Sequence, residues 1–102
     1  MILRVIRSLG DAGTEDLFHG KASGRTRRFP PEVRRVAARK LDVLNAAHAL
    51  RDLQAPPGNR LEAPSGDFRG FHSIRINDQW RIVFRWNGSD AEEVRVTDYH
   101  RG

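Results

Sequence analysis

The sequence predicts an α+β domain in which an N-terminal strand and helices pack on one face of a mainly antiparallel sheet. Apolar residues recur at helical spacing in the first half of the chain, whereas from Arg60 onward they alternate with polar residues. The predicted strands of the second half are joined by short turn signals, and parallel strands would need a crossover of about a dozen residues. At 102 residues the chain fits one domain, residues 1–102.

The first predicted elements are a short strand and a short helix. Residues 2–6 read Ile-Leu-Arg-Val-Ile, a mainly apolar run with three β-branched residues, as is typical of a strand. Asp11 can cap a helix that Gly20 would end. Residues 20–28 are polar, basic and rich in small residues, which predicts an exposed loop; it can either contact phosphate or simply be solvated.

A longer helix begins at Pro30-Pro31, since proline is tolerated in the first turn of a helix. Its apolar residues recur at helical spacing and predict a stripe that faces the core. The stripe consists of Val33, Val36, Ala37, Leu41, Leu44 and Ala47. We expect this helix to extend to about Leu50, because prolines and glycine in residues 54–59 disfavour both helix and strand.

Three candidate strands follow, at residues 71–77, 80–86 and 92–99, with turn signals at Asn77-Asp78 and Asn87-Gly88. Large apolar residues occupy even positions in these strands, so one face of the sheet should be covered by the helices. The odd positions carry Arg75, Arg81, Val83, Arg85, Arg95 and Tyr99. The odd face is therefore expected to be an open phosphate-binding surface, or alternatively an ordinary solvated face.

The charge of the chain points in the same direction. Lysine and arginine number 18 against 13 acidic residues, which gives a formal charge of +5 and favours polyanionic partners. All but Lys21 and Lys40 of these cations are arginine, whose guanidinium suits phosphate contacts, although arginine usage can also reflect genome composition.

Several classes of protein are disfavoured by composition. No apolar run is long enough for a membrane span and the N-terminal run is too short for a signal peptide, so we expect a cytoplasmic protein without a membrane partner. Cysteine is absent and the four histidines show no ligand spacing, so we expect neither a metal site nor a cofactor.

The chain ends close to Asp98-Tyr99-His100, three groups that can hold or transfer protons, and residues 70–84 read GFHSIRINDQWRIVF. With Arg60-Leu61 and Phe29-Pro30-Pro31, these residues resemble the HigB branch of the RelE/ParE toxin superfamily. The resemblance implies a RelE-like fold of the microbial-ribonuclease type. It also implies a type II toxin that is an mRNA endoribonuclease (an mRNA interferase), dependent on the ribosome and inhibitory to translation.

The resemblance implies partners as well. The toxin would be neutralised by a cognate helix-turn-helix antitoxin, HigA-like, and would contact operator DNA only through that antitoxin. Its other partners would be the ribosome and mRNA.

Matching positions place the functional set at Arg81, Asp98, Tyr99 and His100. Metal-independent cleavage by attack of the 2′-hydroxyl requires a base, an acid and cations near the phosphoryl oxygens. Arg81 would bind the scissile phosphate, Tyr99 would hold a base or the 2′-oxygen, and His100 would act as acid or base. Asp98 occupies an even position, on the face expected to be buried, so it would orient His100 or Arg81 rather than contact RNA; it is also the second candidate for the base.

One position departs from the family pattern. Some members carry a histidine where this chain has Glu62, and often a lysine where Ser65 stands. Glu62 could serve as general base with His100 as acid, or it could be an ordinary loop carboxylate. We expect Arg75, Arg85 and Arg95 to contact the RNA backbone.

Two other functions stay open at this stage. A ParE-like toxin would use the same scaffold against DNA gyrase without ribonuclease residues, which the terminal Asp98-Tyr99-His100 disfavours. A catalytically degenerate member would only bind the antitoxin, and the changes at Glu62 and Ser65 leave that alternative open.

Overall fold

The structure, a computed structural model, describes residues 5–99 of the chain. Its helices are α1 (Ala12–Phe18) and α2 (Pro31–Asn45), and its strands are β1 (His72–Arg75), β2 (Trp80–Asn87) and β3 (Asp90–Asp98). Single 3₁₀ turns lie at Thr26–Arg28, Leu50–Gln54, Pro57–Asn59 and Gly66–Phe68. No helix in this part of the chain is long and apolar enough to cross a membrane. The predicted α+β fold, with helices against a mainly antiparallel sheet, is confirmed.

The three strands form an antiparallel meander in the order β1-β2-β3. In the first turn, the side chain of Asn77 accepts hydrogen bonds from the backbone N–H groups of Gln79 (2.9 Å) and Trp80 (2.8 Å). In the second turn, Gly88 has a φ of 67°, a conformation that side chains disfavour. Both predicted turns are confirmed, and β2 is the central strand.

Residues 5–10 run parallel to β3 along the outer edge of the sheet. Two isolated bridges join them, Ile6 to Ala91 and Leu9 to Val94. The side-chain oxygen of Asn45 accepts the N–H groups of Val5 and Ile6, both at 3.0 Å, and ties this segment to the end of α2. The N-terminal segment therefore joins the sheet as predicted, although residues 1–4 of the predicted strand lie outside the described residues.

Helix α1 has the predicted ends. The carboxylate of Asp11 accepts the N–H of Thr14 at 2.8 Å, and Gly20 follows the helix with a φ of 71°. The buried hydroxyl oxygen of Thr14 accepts the N–H of Val96 at 2.9 Å, so the helix is fastened to β3.

Helix α2 ends five residues before the predicted limit at Leu50, at Asn45. The N–H groups of His48 and Ala49 bond to the carboxylate of Asp52, both at 3.0 Å, and thereby start a separate 3₁₀ turn. These two hydrogen bonds lower the pKa of Asp52, and the one from Ala49 has the larger effect. The prediction was wrong because the apolar spacing continues through this turn, where Leu53 is also buried.

The main core lies between the helices and the even positions of the sheet. It contains Val33, Ala37, Leu41, Leu44, Ile74, Ile82, Phe84, Val94 and Val96. The predicted alternation is interrupted once, by a bulge in β3 opposite the interval from Val83 to Arg85. Glu93 adopts a φ of 52° there, so Ala91 turns inward and Glu92 comes opposite Arg85.

The basic loop after α1 is held by one carboxylate. Asp16 accepts hydrogen bonds from the hydroxyl of Ser23 at 2.7 Å and from Arg25 at 3.2 Å. The bond from Ser23, followed by that from Arg25, lowers the pKa of Asp16 although its burial opposes this shift. The predicted loop is thus an anchored one, and its Thr26 is buried.

We expect Asp16→Asn to lower the melting temperature at neutral pH. Because the pKa of Asp16 lies below its ordinary value of 3.8, the carboxylate stabilises the fold above that value. The stabilisation is lost as the pH falls through the lowered pKa. Thermal melts at about pH 7 and about pH 3 should therefore show a difference from wild type that shrinks in acid. The matched control Asp42→Asn alters an exposed carboxylate of α2; an equal Asp16→Asn deficit at both pH values would contradict this account.

Candidate functional site

Arg81 lies at the centre of the odd face, in the middle strand of the sheet. Its side chain is only 8% exposed. Two of its nitrogens, Nε and Nη1, are buried and have no hydrogen-bond partner within residues 5–99. Leaving a buried charged donor unpaired costs more than about 1–3 kcal/mol. Such a group is a candidate to bind a ligand that supplies the missing acceptors, here an anion.

Glu62 and Tyr99 flank this guanidinium. Oε1 of Glu62 is 3.4 Å from Nη1 of Arg81, close enough for an ion pair without forming a hydrogen bond. The ring centroid of Tyr99 is 5.3 Å from Cζ of Arg81, within the range of a cation–π contact. The structure therefore brings together three of the predicted site residues, although Glu62 and Tyr99 lie far apart in the sequence.

Backbone pairing positions both neighbours. Glu62 exchanges two hydrogen bonds with Ser73 of β1, at 3.0 and 2.8 Å. The N–H of Tyr99 donates to the carbonyl of Gln79 at 2.6 Å, which holds the end of β3 against the β1–β2 turn.

Lys40 of α2 contacts the end of β1, just before the β1–β2 turn. Its ammonium donates to the carbonyl of Arg75 at 2.5 Å. Burial, with smaller contributions from Arg39 and Arg75, lowers the pKa of Lys40.

Asp98 lies on the other face of β3 from Tyr99. It pairs with Trp80 in register, and its carboxylate accepts a hydrogen bond from the side-chain amide of Gln79 at 2.9 Å. That Asp98 orients His100 or Arg81 stays a prediction. The fifth predicted catalytic residue, His100, lies outside the described residues.

The three predicted RNA-binding arginines share the face of Arg81 but have contacts of their own. Arg75 forms an ion pair with Asp78. Arg85 forms an ion pair with Glu93 at 2.9 Å and lies over the ring of Phe71.

Arg95 packs against Gly10. A Cβ added at Gly10 would stand 2.6 Å from Nε of Arg95. That Nε is buried without a hydrogen-bond partner in the described part of the chain.

The expectation that the odd face is open was wrong. Val83 is fully buried there and Ser73 is 1% exposed. Side chains of the segment from Glu62 to Phe71 lie over this face, because Glu62 contacts Arg81 and Phe71 contacts Arg85. The sequence does contain an indication that the odd face is partly buried, because Phe71 and Val83 are large apolar residues at odd positions.

Ser73 is a residue of the site that the sequence analysis missed. It lies between Glu62 and Val83 in register, and its hydroxyl is buried without a hydrogen-bond partner among the described residues. Its odd position in a predicted strand, on the parity of Arg81, could have identified it.

The described residues include no group of three or more histidine, cysteine, aspartate or glutamate side chains that could hold a metal ion. The expectation of metal-independent chemistry stays a prediction.

Comparison with known proteins gives one family and two relatives. The family model described as "RelE-like toxin of type II toxin-antitoxin system HigB" matches residues 11–100. A protein named Toxin HigB-1 from Vibrio cholerae serotype O1 is 45% identical over 62 residues, 61% of this chain. An uncharacterized protein of Haemophilus influenzae is 31% identical over 67 residues, 66% of this chain. The chain covers 65% and 66% of the lengths of these two relatives.

We expect Ser73→Ala to leave the stability unchanged or to raise it by about 1 kcal/mol, because the buried hydroxyl has no partner to lose. Thr14→Val is the matched comparison, since it removes a buried hydroxyl that does have one. It should cost about 1–3 kcal/mol by leaving the N–H of Val96 unpaired. Denaturant unfolding measures both values; a Ser73→Ala loss as large as that of Thr14→Val would show that the Ser73 hydroxyl is bonded.

Proposed function

The chain belongs to the HigB-like family of RelE-like toxins of type II toxin–antitoxin systems, and from this premise we propose that it is a ribosome-dependent endoribonuclease. It cuts mRNA during translation and so inhibits protein synthesis. The observation that carries the proposal is the buried guanidinium of Arg81, two of whose nitrogens make no hydrogen bond within residues 5–99. A phosphodiester of RNA supplies acceptors of the charge and geometry that these donors lack.

Arg81 binds the scissile phosphate and stabilises its developing charge. Attack of the 2′-hydroxyl gathers negative charge on the phosphoryl oxygens, and a fixed, buried cation stabilises that charge more than an exposed one would. Before RNA arrives, the carboxylate of Glu62 at 3.4 Å balances the guanidinium. This pairing offsets part of the cost of burying the charge of Arg81.

Glu62 is the general base of the proposed mechanism. Because its carboxylate lies beside the phosphate-binding guanidinium, a phosphate on Arg81 brings the adjacent 2′-hydroxyl close to it. Tyr99, on the other side of Arg81, holds a nucleobase or positions the 2′-oxygen. His100 protonates the departing 5′-oxygen, and Asp98 orients His100 or Arg81.

The proposal requires no metal and no cofactor. Its partners are a HigA-like helix-turn-helix antitoxin, the ribosome and mRNA, with operator DNA reached only through the antitoxin. It acts in the cytoplasm, where ribosomes translate. Arg75 and Arg95, on the face of Arg81, contact the RNA backbone; Arg75 does so by exchanging its ion pair with Asp78, which is exposed, for one with a phosphate.

Two alternatives use the same fold. A gyrase-directed toxin needs no buried cation between a carboxylate and a phenol. In a degenerate subunit that only binds the antitoxin, nothing would select for this arrangement. Mapping mRNA ends after adding the purified protein to translating ribosomes separates them. The ribonuclease yields discrete cuts at the codon in the A site, whereas the other two yield none.

We expect Arg81→Lys to reduce the rate of these cuts by about 100-fold or more, because lysine cannot reproduce the guanidinium donors aimed at the phosphate. The rate is measured by end mapping over time. Arg51→Lys, the same change at an exposed arginine of the 3₁₀ turn, should cut at the wild-type rate. Melting curves establish that both variants are folded, and a folded Arg81→Lys that cuts normally would remove Arg81 from the site.

We expect Glu62→Gln to lower kcat by about 100-fold without weakening the binding of uncleavable, 2′-deoxy-substituted mRNA. Glutamine keeps the shape of the side chain but cannot accept the proton, and it no longer competes for Arg81. Single-turnover cleavage and binding to programmed ribosomes measure the two quantities. Glu15→Gln on the exposed side of α1 is the control. Unaltered cleavage by Glu62→Gln would leave Glu62 as an ion-pair partner only.

A further inference from the structure

Arg85 and Phe71 form an ordered pair at the far end of the odd face. Cζ of Arg85 lies 4.4 Å from the centroid of the Phe71 ring, and the ring of Phe68 meets Phe71 edge-on at 5.6 Å. Nε of Arg85 is held by the carboxylate of Glu93 at 2.9 Å. Although fixed at two points, the side chain of Arg85 is 47% exposed. It therefore presents a planar group to solvent in a defined position.

The backbone around this pair is shaped to permit it. Gly70 has a φ of 89°, a backbone conformation that glycine adopts and other residues disfavour, and its Cα approaches the guanidinium of Arg85 closely enough that an added Cβ would stand 3.4 Å from Nη1. The bulge at Glu93 brings Glu92 opposite Arg85 in register and directs the carboxylate of Glu93 to Nε. Two acidic residues therefore lie next to Arg85.

These neighbours decide what Arg85 can bind. A phosphate at Arg85 would meet the charge of Glu93 and Glu92, so the site disfavours an anion. A guanidinium that is already ion-paired keeps its flat surface, which stacks on a nucleobase as readily as an aromatic ring does. The contacts therefore favour the base of a nucleotide over the RNA backbone.

The position along β2 relates this pair to Arg81. Both arginines occupy odd positions of the same strand, and four residues of strand span about 13 Å. A single RNA strand bound through its phosphate at Arg81 and running along β2 thus reaches Arg85 with a neighbouring nucleotide, not with the one that is cut.

We propose that Arg85, stacked on Phe71, is a base-stacking subsite for a single-stranded nucleotide near the cleaved bond. This inference rests on the proposed ribonuclease function. It replaces the expected backbone contact of Arg85 by a contact to a base, and it adds Phe71 to the site as the residue that supports the stack.

The test combines a protein change with an RNA change. Ribosomes are programmed with mRNAs that each contain one abasic nucleotide, at successive positions in and around the codon of the A site. Single-turnover cleavage is measured with wild type, with Arg85→Lys, which keeps the charge but loses the plane, and with Phe71→Leu, which keeps a buried apolar side chain. Arg51→Lys is the control, and melting curves verify that each variant is folded.

At one position, we expect the loss of the base to slow wild type by about fivefold. Arg85→Lys should slow cleavage of intact mRNA by a similar factor, and the abasic nucleotide at that position should then have no further effect. In Phe71→Leu, too, the abasic nucleotide at that position should cause no further slowing. Arg51→Lys should behave as wild type.

Two results overturn the subsite alone: a wild-type rate for Arg85→Lys on intact mRNA, or abasic effects that are the same in Arg85→Lys and wild type at every position. Arg81→Lys, measured in parallel, reports on the proposed function. If wild type cuts no mRNA, the proposed function is wrong and the subsite is rejected with it.

Discussion

The burial of one guanidinium in the middle of a three-stranded sheet is the constraint on which the site depends. Arg81 has neighbours on both sides, β1 and β3, so its side chain cannot turn away from the odd face. A buried charge needs compensation, and here it has a carboxylate on one side and an aromatic ring on the other. The compensation is incomplete, because Nε and Nη1 of Arg81 make no hydrogen bond in the described part of the chain. That deficit is what a phosphate group would remove.

The two faces of the sheet differ in what they bury: the even face buries the main apolar core, and the odd face buries polar groups. The even face carries the main core and supplies the stability, because the helices cover it and the N-terminal segment extends the sheet at its edge. On the odd face, side chains of the segment from Glu62 to Phe71 lie over polar groups such as Ser73 and Arg81, which are buried. A face that buries polar groups is a poor way to stabilise a small domain. Its retention is understandable if the face binds a ligand.

The four arginines of the odd face show that charge alone does not define a role. Arg81 is buried and, within the described residues, makes no hydrogen bond to its acidic neighbour Glu62, whereas Arg75 is hydrogen-bonded to Asp78. Arg85 also has one, and an aromatic ring beneath it. Arginines on the same surface thus have different neighbours, and these neighbours determine what each arginine can bind. A uniform positive surface would bind phosphate everywhere, whereas the proposed roles assign phosphate to Arg81 and a base to Arg85 because their neighbours differ.

The sequence by itself determined the α+β class, the strands and turns of the meander, the capped ends of α1 and the parity that puts Arg81 and Tyr99 on one face, because local periodicity and turn chemistry fix these features. It also indicated the family. Only the tertiary structure decided that Glu62 reaches Arg81, that Phe71 lies under Arg85 and that α2 stops at Asn45. The first two depend on contacts between segments distant in the chain and on the bulge at Glu93, and the third on hydrogen bonds to the carboxylate of Asp52; none of these leaves a periodic signal in the sequence.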